Sequence, residues 1–460
     1  RLAANRGLKV APFKPQNMSN NAAVSDDGGE IGRAQWLQAW AARMPSSVHM
    51  NPVLLKPQSD VGSQIVLQGK VWGQARGRDY QRLKPQLLDA VLESFSVVGK
   101  QADLVIVEGA GSPAEINLRA GDIANMGFAT RAGVPVVLVG DIDRGGVIAS
   151  LVGTHTILPE EDRRMISGYI INKFRGDVSL FDDGIKAVEG FTGWPCFGVV
   201  PWLKAAVRLP AEDSVVLERL SRSGSGALKV AVPMLARIAN FDDLDPLAAE
   251  PEVDLVFVRP GEALPGDAGL VVLPGSKSTI GDLADFRAQG WDRDLERHVR
   301  RGGRVIGLCG GYQMLGRKVY DPLGIEGSTT EIEGLGLLDI ETEMAPEKTV
   351  RNSAAWSVPY DVALSGYEIH LGVTSGNDCA RPFVTIDGRP DGAISGDGRV
   401  AGTYLHGLFG SDAYRARLLE SFGITGSRES YRQRVDTALD EVAAELENLL
   451  DRNWLAQLLG

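Results

Sequence analysis

The sequence predicts an α/β protein with two domains, each built on a parallel β-sheet, followed by a helical tail. Its 460 residues, 44% hydrophobic and 23% charged, are enough for two or three globular domains. In both halves short apolar runs alternate with helical patterns, as in sheets that helices cover on both faces. A Ser- and Gly-rich stretch at residues 221–226 has the composition of a flexible linker. We therefore predict domains over residues 1–222 and 227–415 and a tail over residues 416–460.

The composition argues against several kinds of partner. A net charge of −11 disfavours non-specific binding to nucleic acid and to an anionic membrane surface. No apolar run is long enough to span a membrane. The three cysteines, Cys196, Cys309 and Cys379, are widely spaced without a metal-binding pattern, which indicates a reducing compartment. We expect a cytoplasmic protein with no nucleic-acid or membrane partner. The sequence does not decide whether the protein forms a homo-oligomer.

Polar residues follow three predicted strands of the first half. These strands lie at residues 103–108, 134–139 and 168–172, after a first strand at 8–13. Ligands of open α/β sheets bind beyond the carboxyl ends of the strands, so the three strand ends are predicted to face one site. They offer Glu108, the loop from Asp141 to Gly146, and the loop from Asn172 to Asp177.

The residue types at these strand ends suit a nucleotide and its metal ion. Glu108, or Asp141 together with Asp143, supplies the oxygen ligands that Mg²⁺ prefers. Asn172 is suited to reading the edge of a base. Four basic side chains suit phosphates or carboxylates: Lys14, Arg144, Lys173 and Arg175. The alternative is that all of them are ordinary solvated loop residues.

The second half is organised around Cys309. An apolar run, residues 305–308, ends at this cysteine, and Gly310, Gly311 and a helical pattern follow. Strand, cysteine, tight glycine turn and helix form the arrangement of a nucleophile elbow. The positive end of the helix would favour the thiolate over the thiol. The alternative is a buried structural cysteine in front of a helix.

Two further segments offer partners for such a thiol. The stretch 274–279 predicts a glycine turn that opens a helix, so the backbone N–H groups at Gly275 and Gly310 are candidates for an oxyanion hole. His406 follows an apolar strand at 400–405 and is a candidate general base. A lone histidine is more often structural, but the elbow and the glycine turn favour a catalytic one.

The last segment of the chain carries an amphipathic helical pattern over residues 435–459. Its apolar stripe consists of Leu439, Val442, Leu446, Leu449 and Leu450. We expect this face to pack against either domain or against a second subunit.

These motifs together resemble known enzymes. Cys309 in its elbow, PGSKST at 274–279 and His406 are similar to a flavodoxin-like class I glutamine amidotransferase domain. The first half resembles the P-loop-type, dethiobiotin synthetase-like ATP-dependent ligases in PFKPQNMSNN (12–21), VEGAGSPAEINLR (107–119), GDIDRGGVIAS (140–150) and INKFRGD (171–177). LPAEDSV (209–215) and RIANFDDLDPL (237–247) extend the resemblance over nearly the whole chain. The combination points to the cobyric and cobyrinic acid synthase family of amidotransferases.

The resemblance implies a glutamine-hydrolysing, ATP-dependent carbon–nitrogen ligase of cobalamin biosynthesis. Cys309 would attack the side-chain amide of glutamine and His406 would relay protons, with Gly275 and Gly310 stabilising the oxyanion. Ammonia would pass to the first domain, where ATP and Mg²⁺ would activate a carboxylate of adenosylcobyrinic acid a,c-diamide. Amidation of its b, d, e and g carboxylates would give adenosylcobyric acid.

The resemblance also implies roles for the strand ends of the first domain. Glu108 would bind Mg²⁺, Lys14 the phosphates and Asn172 the adenine, with Arg175 as a further contact to the nucleotide. The loop at 141–150 would lie near the corrin and would contribute Asp141, Asp143, Arg144 and Gly145.

The sequence departs from the family pattern at two points. Typical class I glutaminases have a Glu two residues after the histidine, where this chain has Leu408. The group that orients His406 is therefore open, with Glu368 and a backbone carbonyl as candidates. A glycine-rich phosphate loop is expected before the helical pattern that ends at Gly7, and we expect the sequence as given to lack its true beginning. A chain without this loop is expected to turn over ATP weakly or not at all, while its glutaminase domain is spared.

Three other functions compete with this one. The nearest is the sister amidotransferase that acts on the a and c carboxylates of cobyrinic acid, or one that acts on a cell-wall precursor. The first domain also resembles partitioning-type ATPases, so a non-catalytic scaffold is the second, and it would have no use for Cys309. A cysteine hydrolase unrelated to ammonia transfer is the third.

Overall fold

The computed structural model describes residues 1–59, 62–211 and 226–460. Separate hydrophobic cores form in the two halves of the chain. The first domain has one core cluster around Phe13 and Phe128 and another around Tyr169. A larger cluster in the second domain joins buried residues between positions 228 and 419. This division of the core agrees with the predicted pair of α/β domains.

The described part of the first domain contains eleven strands in several small sheets. β1 pairs in parallel with β8, and a second parallel sheet has the order β11–β10–β9. A third sheet has the order β2–β5–β6–β7, and β3 and β4 form an antiparallel pair. The strands are β1 Val10–Phe13, β2 Gln16–Met18, β3 Ala22–Val24, β4 Glu30–Gly32, β5 Val53–Ser59, β6 Gly62–Leu67, β7 Lys70–Arg76, β8 Leu104–Val107, β9 Val136–Asp141, β10 Ile166–Phe174 and β11 Cys196–Pro201.

The four strands that the sequence predicts in this domain correspond to β1, β8, β9 and β10, and they lie in two sheets. Among the residues described, β8 and β9 are both edge strands and do not pair with each other. Ile106 on β8 is 46% exposed and Val139 on β9 is 63% exposed. The apolar runs correctly indicate parallel strands, but an apolar run does not determine which strands are its neighbours.

The third sheet and the β3–β4 pair lie against the second domain. Ala22, Val24, Leu54 and Val66 share one buried cluster with two residues of the second domain, Tyr367 and Ile369. Burial of apolar surface stabilises such a contact in proportion to the area removed from water. The cluster therefore holds the third sheet and the β3–β4 pair of the first domain against the segment of the second domain that contains Tyr367 and Ile369.

Seven helices accompany these strands in the described part of the first domain. The longest one buries Leu87, Val91 and Val98 on a single face, in the core that contains Phe13. The helices are α1 Leu2–Asn5, α2 Arg33–Ala41, α3 Gly77–Gly99, α4 Met126–Ala132, α5 Val147–Ile157, α6 Glu160–Arg163 and α7 Asp182–Thr192.

The second domain is built on a six-stranded sheet of order β14–β12–β15–β17–β25–β24, parallel except for β24. The strands of this domain are β12 Leu228–Pro233, β13 Ile238–Ala239, β14 Val253–Val258, β15 Leu270–Leu273, β16 Gly275–Ser276, β17 Arg304–Leu308, β18 Lys318–Tyr320, β19 Glu331–Glu333, β20 Glu341–Ser357, β21 Val362–Ser375, β22 Val384–Ile386, β23 Arg389–Asp391, β24 Ala393–Ile394 and β25 Val400–Thr403. β17 and β25 are neighbours, with Leu308 opposite Thr403. Their carboxyl ends bring Cys309 and His406 to the same edge of the sheet.

A second sheet of this domain, of order β19–β18–β20–β22–β23, includes the long hairpin of β20 and β21. The helices that accompany the two sheets are α8 Asp245–Ala248, α9 Thr279–Ala288, α10 Trp291–Arg300, α11 Gly310–Leu315 and α12 Asp412–Glu420. β21 carries Tyr367 and Ile369, so the hairpin is the part of this domain that meets the first domain.

The helical tail packs against the first domain. It consists of α13 Tyr431–Leu449 and α14 Arg452–Leu459. Trp454 stacks on Phe197 with 4.7 Å between ring centroids, and Leu455 and Leu459 share a cluster with Ala3 and other residues of the first domain. The predicted stripe is partly right: Leu439 is buried, whereas Val442, Leu446, Leu449 and Leu450 are half-buried.

The predicted linker at 221–226 lies outside the described residues except for Gly226, so the division between residues 222 and 227 stays a prediction. The other predicted boundary, after residue 415, falls inside α12, and Leu418 and Leu419 of this helix belong to the core of the second domain.

In the described parts of the chain, no helix has the length and apolar character needed to cross a membrane.

Candidate active site

Cys309 occupies a sharp turn between β17 and α11, as the sequence predicts. Its backbone has φ of 50° and ψ of −109°, and a positive φ is uncommon for a residue with a side chain. A Cβ atom on Gly311 would lie 2.2 Å from the carbonyl oxygen of Leu273, so only glycine fits there. The turn therefore holds the thiol in a strained position that the packing around Gly311 maintains.

The imidazole of His406 lies beside this thiol. His406 is buried, and its Nδ1 atom lies 2.6 Å from Oδ2 of Asp243. The other oxygen of Asp243 accepts a hydrogen bond from the backbone N–H of Gly407 at 2.7 Å. His406 and Cys309 line the same cavity, and the thiol of Cys309 donates a hydrogen bond to the carbonyl oxygen of Ile369 at 3.5 Å. The imidazole, the carboxylate and the Gly407 backbone thus form a continuous chain of contacts beside the thiol.

The electrostatics of this chain favour a charged imidazole. Burial lowers the pKa of His406, but the negative charge of Asp243 and the hydrogen bond to it, with a contribution from Cys309, outweigh burial and raise the pKa to about 10. His406 is therefore protonated at neutral pH. A protonated imidazole in this position can donate a proton to a leaving group.

The group on Nδ1 of His406 is Asp243, and not either of the two candidates from the sequence, Glu368 or a backbone carbonyl. Glu368 belongs to a different ion pair, with Arg351, and its second oxygen lies 3.6 Å from Nε2 of His370. Asp243 takes the position because the short helical segment Phe241–Leu244, after β13, contacts His406 and Gly407. The two adjacent acidic residues in RIANFDDLDPL indicated a possible partner for His406. The sequence did not connect them to it, because Asp243 is 163 residues away from His406.

A small cavity with about 50 Å³ of free space opens beside the thiol. Residues of both domains line it, including Cys309, His406, Lys277 and Lys348 from the second domain and Lys56 from the first. The sequence analysis did not assign a role to any of these lysines. The cavity thus lies at the junction of the two domains and has three lysines in its lining.

The two predicted oxyanion glycines both lie close to the reactive pair. A Cβ atom on Gly275 would come 3.2 Å from Cε1 of His406, and one on Gly310 would come 2.9 Å from the backbone nitrogen of Ser276. Gly275 lies in the two-residue strand β16, opposite Ala239, and the helix that the predicted glycine turn opens, α9, begins at Thr279. The structure therefore brings Cys309, His406, Gly275 and Gly310 together, and their catalytic roles stay predictions.

In the first domain, Lys14 and Glu108 follow the paired strands β1 and β8. Nζ of Lys14 lies 2.7 Å from Oε1 of Glu108, and Gln38 donates a hydrogen bond to the other carboxylate oxygen at 2.6 Å. The side chain of Glu108 is 40% exposed, so it remains open to a ligand. This arrangement suits a phosphate-bound metal ion, since Mg²⁺ is usually held by one or two carboxylates and the phosphates of its substrate.

The other predicted residues of this domain gather at the ends of β9 and β10, where Asn172 lies opposite Asp141. Lys173 pairs with Asp141 at 2.8 Å and Arg175 with Asp143 at 2.6 Å. Arg144 is 86% exposed and lies 4.0 Å from Asp141, next to Gly145 in the same loop. Among the residues described, no group of three or more His, Cys, Asp or Glu side chains could hold a metal ion.

The two halves of the chain match two different family models. Residues 1–216 match the family model described as the CobQ/CobB/MinD/ParA nucleotide binding domain. Residues 229–414 match the model described as the CobB/CobQ-like glutamine amidotransferase domain. These matches confirm the predicted fold class.

The chain is also similar over its full length to several curated relatives. It is 81% identical to a cobyric acid synthase of Sinorhizobium fredii, and the alignment covers 100% of this chain and 95% of the relative. It is 79% identical to one of Rhizobium johnstonii, covering 100% of this chain and 94% of that relative, and 78% identical to one of Rhizobium meliloti, covering 100% and 95%. The chain therefore belongs to the cobyric acid synthase family of glutamine amidotransferases of cobalamin biosynthesis.

Proposed function

We propose that this chain hydrolyses glutamine in its second domain and uses the ammonia, together with ATP, to amidate carboxylates of a corrin in its first domain. The buried arrangement of Cys309, His406 and Asp243, in a cavity that both domains line, carries the proposal. We assign adenosylcobyrinic acid a,c-diamide as the acceptor and its b, d, e and g carboxylates as the amidated groups. We place the reaction in the cytoplasm, where the three cysteines, free in the structure, stay reduced.

Each glutaminase residue has a defined task in this proposal. The Sγ atom of Cys309 attacks the side-chain amide carbon of glutamine, and the carbonyl oxygen becomes an oxyanion next to Gly275 and Gly310. His406, held through Nδ1 by Asp243, gives a proton to the leaving nitrogen, so the C–N bond breaks and ammonia departs. His406 then takes a proton from a water molecule that cleaves the thioester. One glutamine and one water give one glutamate and one ammonia.

The first domain would activate the acceptor. ATP would supply a phosphoryl group that turns a poorly electrophilic carboxylate into an acyl phosphate, whose phosphate the ammonia displaces. Glu108 would hold Mg²⁺, and Lys14 would neutralise phosphate charge beside it. Asn172 and Arg175 would contact the nucleotide. Asp141, Asp143, Arg144 and Gly145 would face the corrin on the exposed loop after β9.

Mass spectrometry that counts the amides added to the a,c-diamide tests this proposal, with glutamine, with an ammonium salt or with neither as the nitrogen source. Cys309→Ala is expected to lower glutamine-dependent amidation by at least about 10³-fold, because it removes the nucleophile. Ammonium-dependent amidation should persist, since ammonia bypasses Cys309. Full glutamine-dependent activity in Cys309→Ala would refute the proposal.

The same assay distinguishes the closest alternatives. If cobyrinic acid is consumed in preference to its a,c-diamide when the two compete, the chain is the sister amidotransferase. If no amide is added with either nitrogen source while ATP is hydrolysed, the scaffold interpretation is favoured.

A further inference from the structure

Three lysines from both domains converge on the glutaminase cavity. Lys56 lies on β5 of the first domain, whereas Lys277 and Lys348 belong to the second domain, and all three line the cavity that contains Cys309. We call these three residues the lysine cluster. Because Lys56 is part of the sheet that packs on β21, contact between the domains completes the cluster.

One carboxylate neutralises part of this charge. The two oxygens of Glu30, on β4, pair separately with Lys56, at 2.6 Å, and with Lys348, at 2.5 Å. All three side chains are at least nine-tenths buried. Opposite charges in such a setting attract strongly, and they keep the pKa of the Glu30 carboxyl well below its usual range despite its burial.

Lys277 has no such partner. Within the described ranges of the chain, no carboxylate lies at ion-pair distance from its Nζ atom, which donates a hydrogen bond to the amide oxygen of Gln64 at 3.1 Å. Burial, with the charges of Lys348 and Lys56, lowers the pKa of Lys277 to about 7. A second carboxylate, that of Glu326, lines the cavity, and burial raises its pKa to about 7. Three lysines therefore face two carboxylates, and one of these two is readily protonated. An anion that entered next to Lys277 would restore the balance of charge.

The size of the cavity and its other residues limit the kind of anion. About 50 Å³ of free space admits a small molecule or part of one, and excludes a corrin. The same small space lies against the thiol, so its ligand should carry an amide for Cys309 at one end and an anionic group at the other. Glutamine has this structure, because its side-chain amide and its α-carboxylate are at opposite ends of a short chain.

We propose that the α-carboxylate of glutamine binds to the lysine cluster, with Lys277 as its main contact. The inference rests on the proposed glutaminase activity and deepens it, because it makes the first domain, through Lys56, part of the glutamine site. A second domain that is separated from the first would then bind glutamine weakly.

Calorimetry on the full chain with Cys309→Ala, which cannot consume its ligand, tests this inference. Glutamine is compared with 4-aminobutanamide, which is glutamine without its α-carboxylate. We expect 4-aminobutanamide to bind roughly 10- to 100-fold more weakly than glutamine, the loss typical of a buried charge-assisted contact. Equal affinities would overturn the inference, and this result does not depend on any lysine variant being folded.

Lysine variants in the same background identify the contact. Lys277→Met should weaken glutamine by a similar factor and leave the affinity for 4-aminobutanamide unchanged. Lys56→Met should also weaken the binding of glutamine, by a smaller factor than Lys277→Met does. It should leave the affinity for 4-aminobutanamide unchanged. Lys186→Met is the matched control, because this lysine is exposed on α7 and pairs only with exposed Asp183 among the described residues. It should change neither affinity.

The outcomes separate this inference from the proposed function. If Cys309→Ala abolishes glutamine-dependent amidation but Lys277→Met binds glutamine as tightly as the parent, the proposed function stands and the inference fails. If Cys309→Ala keeps its glutaminase activity, the proposed function itself fails.

Discussion

His406 depends on Asp243 for its charge and its orientation. Both side chains are almost fully buried, at 3% and 2% exposed, so solvent screens their interaction little. A carboxylate on Nδ1 fixes the proton there and turns the other ring nitrogen towards the thiol. Asp243 also accepts a hydrogen bond from the Gly407 backbone, which fixes the carboxylate. Asp243 is therefore a positioning residue, and its effect should be visible in the titration of His406.

Replacement of Asp243 by Asn is expected to lower the glutaminase kcat by roughly 10²- to 10⁴-fold and the KM for glutamine much less. The amide has no charge, so the pKa of His406 should fall from about 10 towards or below its ordinary value. NMR titration of the His406 imidazole, assigned with His406→Gln, measures this shift. Asp267→Asn, in an exposed ion pair of the same domain, serves as the control and should leave both quantities unchanged. An unchanged His406 pKa in Asp243→Asn would contradict this role.

Stability should depend on pH through the same pair. The folded-state pKa of His406, about 10, is above its ordinary value of 6.5, so the interaction is complete below pH 6.5 and is lost as the pH rises through 10. The melting temperature of the unmodified chain should fall more between pH 6.5 and 10 than that of Asp243→Asn. Parallel curves for the two proteins would contradict the assigned pair.

At the scale of elements, the turn at Cys309 connects β17 to α11 through a backbone conformation that side chains disfavour. Residues held in such regions cost about 1–3 kcal/mol and persist only where the surroundings enforce them. Here the enforcing contacts are the close approach of Gly311 to Leu273 and the pairing of β17 with β25. The fold thus supplies the free energy that keeps the thiol at the cavity.

Glycine at position 309 should relieve this strain. We expect the full chain with Cys309→Gly to melt at a higher temperature than Cys309→Ala, by an amount equivalent to roughly 1 kcal/mol, because only glycine adopts a φ of 50° without cost. Cys379 provides the matched comparison, since it lies in a short helical turn, where Cys379→Gly should be less stable than Cys379→Ala. The same order of stability at both positions would show that the turn is unstrained.

The sequence predicts these elements well where the signal is local. Strand, cysteine and glycine turn are adjacent in the chain, and His406 follows directly after an apolar strand, so the geometry around both was predictable. Asp243, Lys56 and Glu30 were missed because they reach the site only through tertiary contacts between distant segments. The pairing of the first domain's parallel strands was not predictable for the same reason.

At the scale of the whole molecule, the catalytic segment after β13 rests on the first domain. Arg33 on α2 lies 2.8 Å from the carboxylate of Asp242, the neighbour of Asp243. Asn240 exchanges hydrogen bonds with the backbone of Ala22. The position of Asp243 is thus coupled to the docking of the two domains, as is the lysine cluster.

Arg33→Met is expected to lower the apparent melting temperature and the glutaminase kcat/KM together. It leaves the buried carboxylate of Asp242 without its cation, a loss of about 3–5 kcal/mol for pairs of this kind. Arg6→Met is the control, because the pair of Arg6 and Glu447 is 41% and 48% exposed and should contribute at most about 1 kcal/mol. If the two variants behave alike, the contact between Arg33 and Asp242 does not couple the domains.

The last two helices return to the domain in which the chain starts, and Arg1 and Asp436 are in contact. The second domain is consequently joined to the first by the returning helices α13 and α14 as well as by the chain that connects the two domains. A protease that cut only the connection would leave a nicked protein whose pieces remain associated. Removal of α13 and α14 would instead expose Ala3, Val10 and Ala42 to water, and this exposure would favour aggregation of the shortened chain.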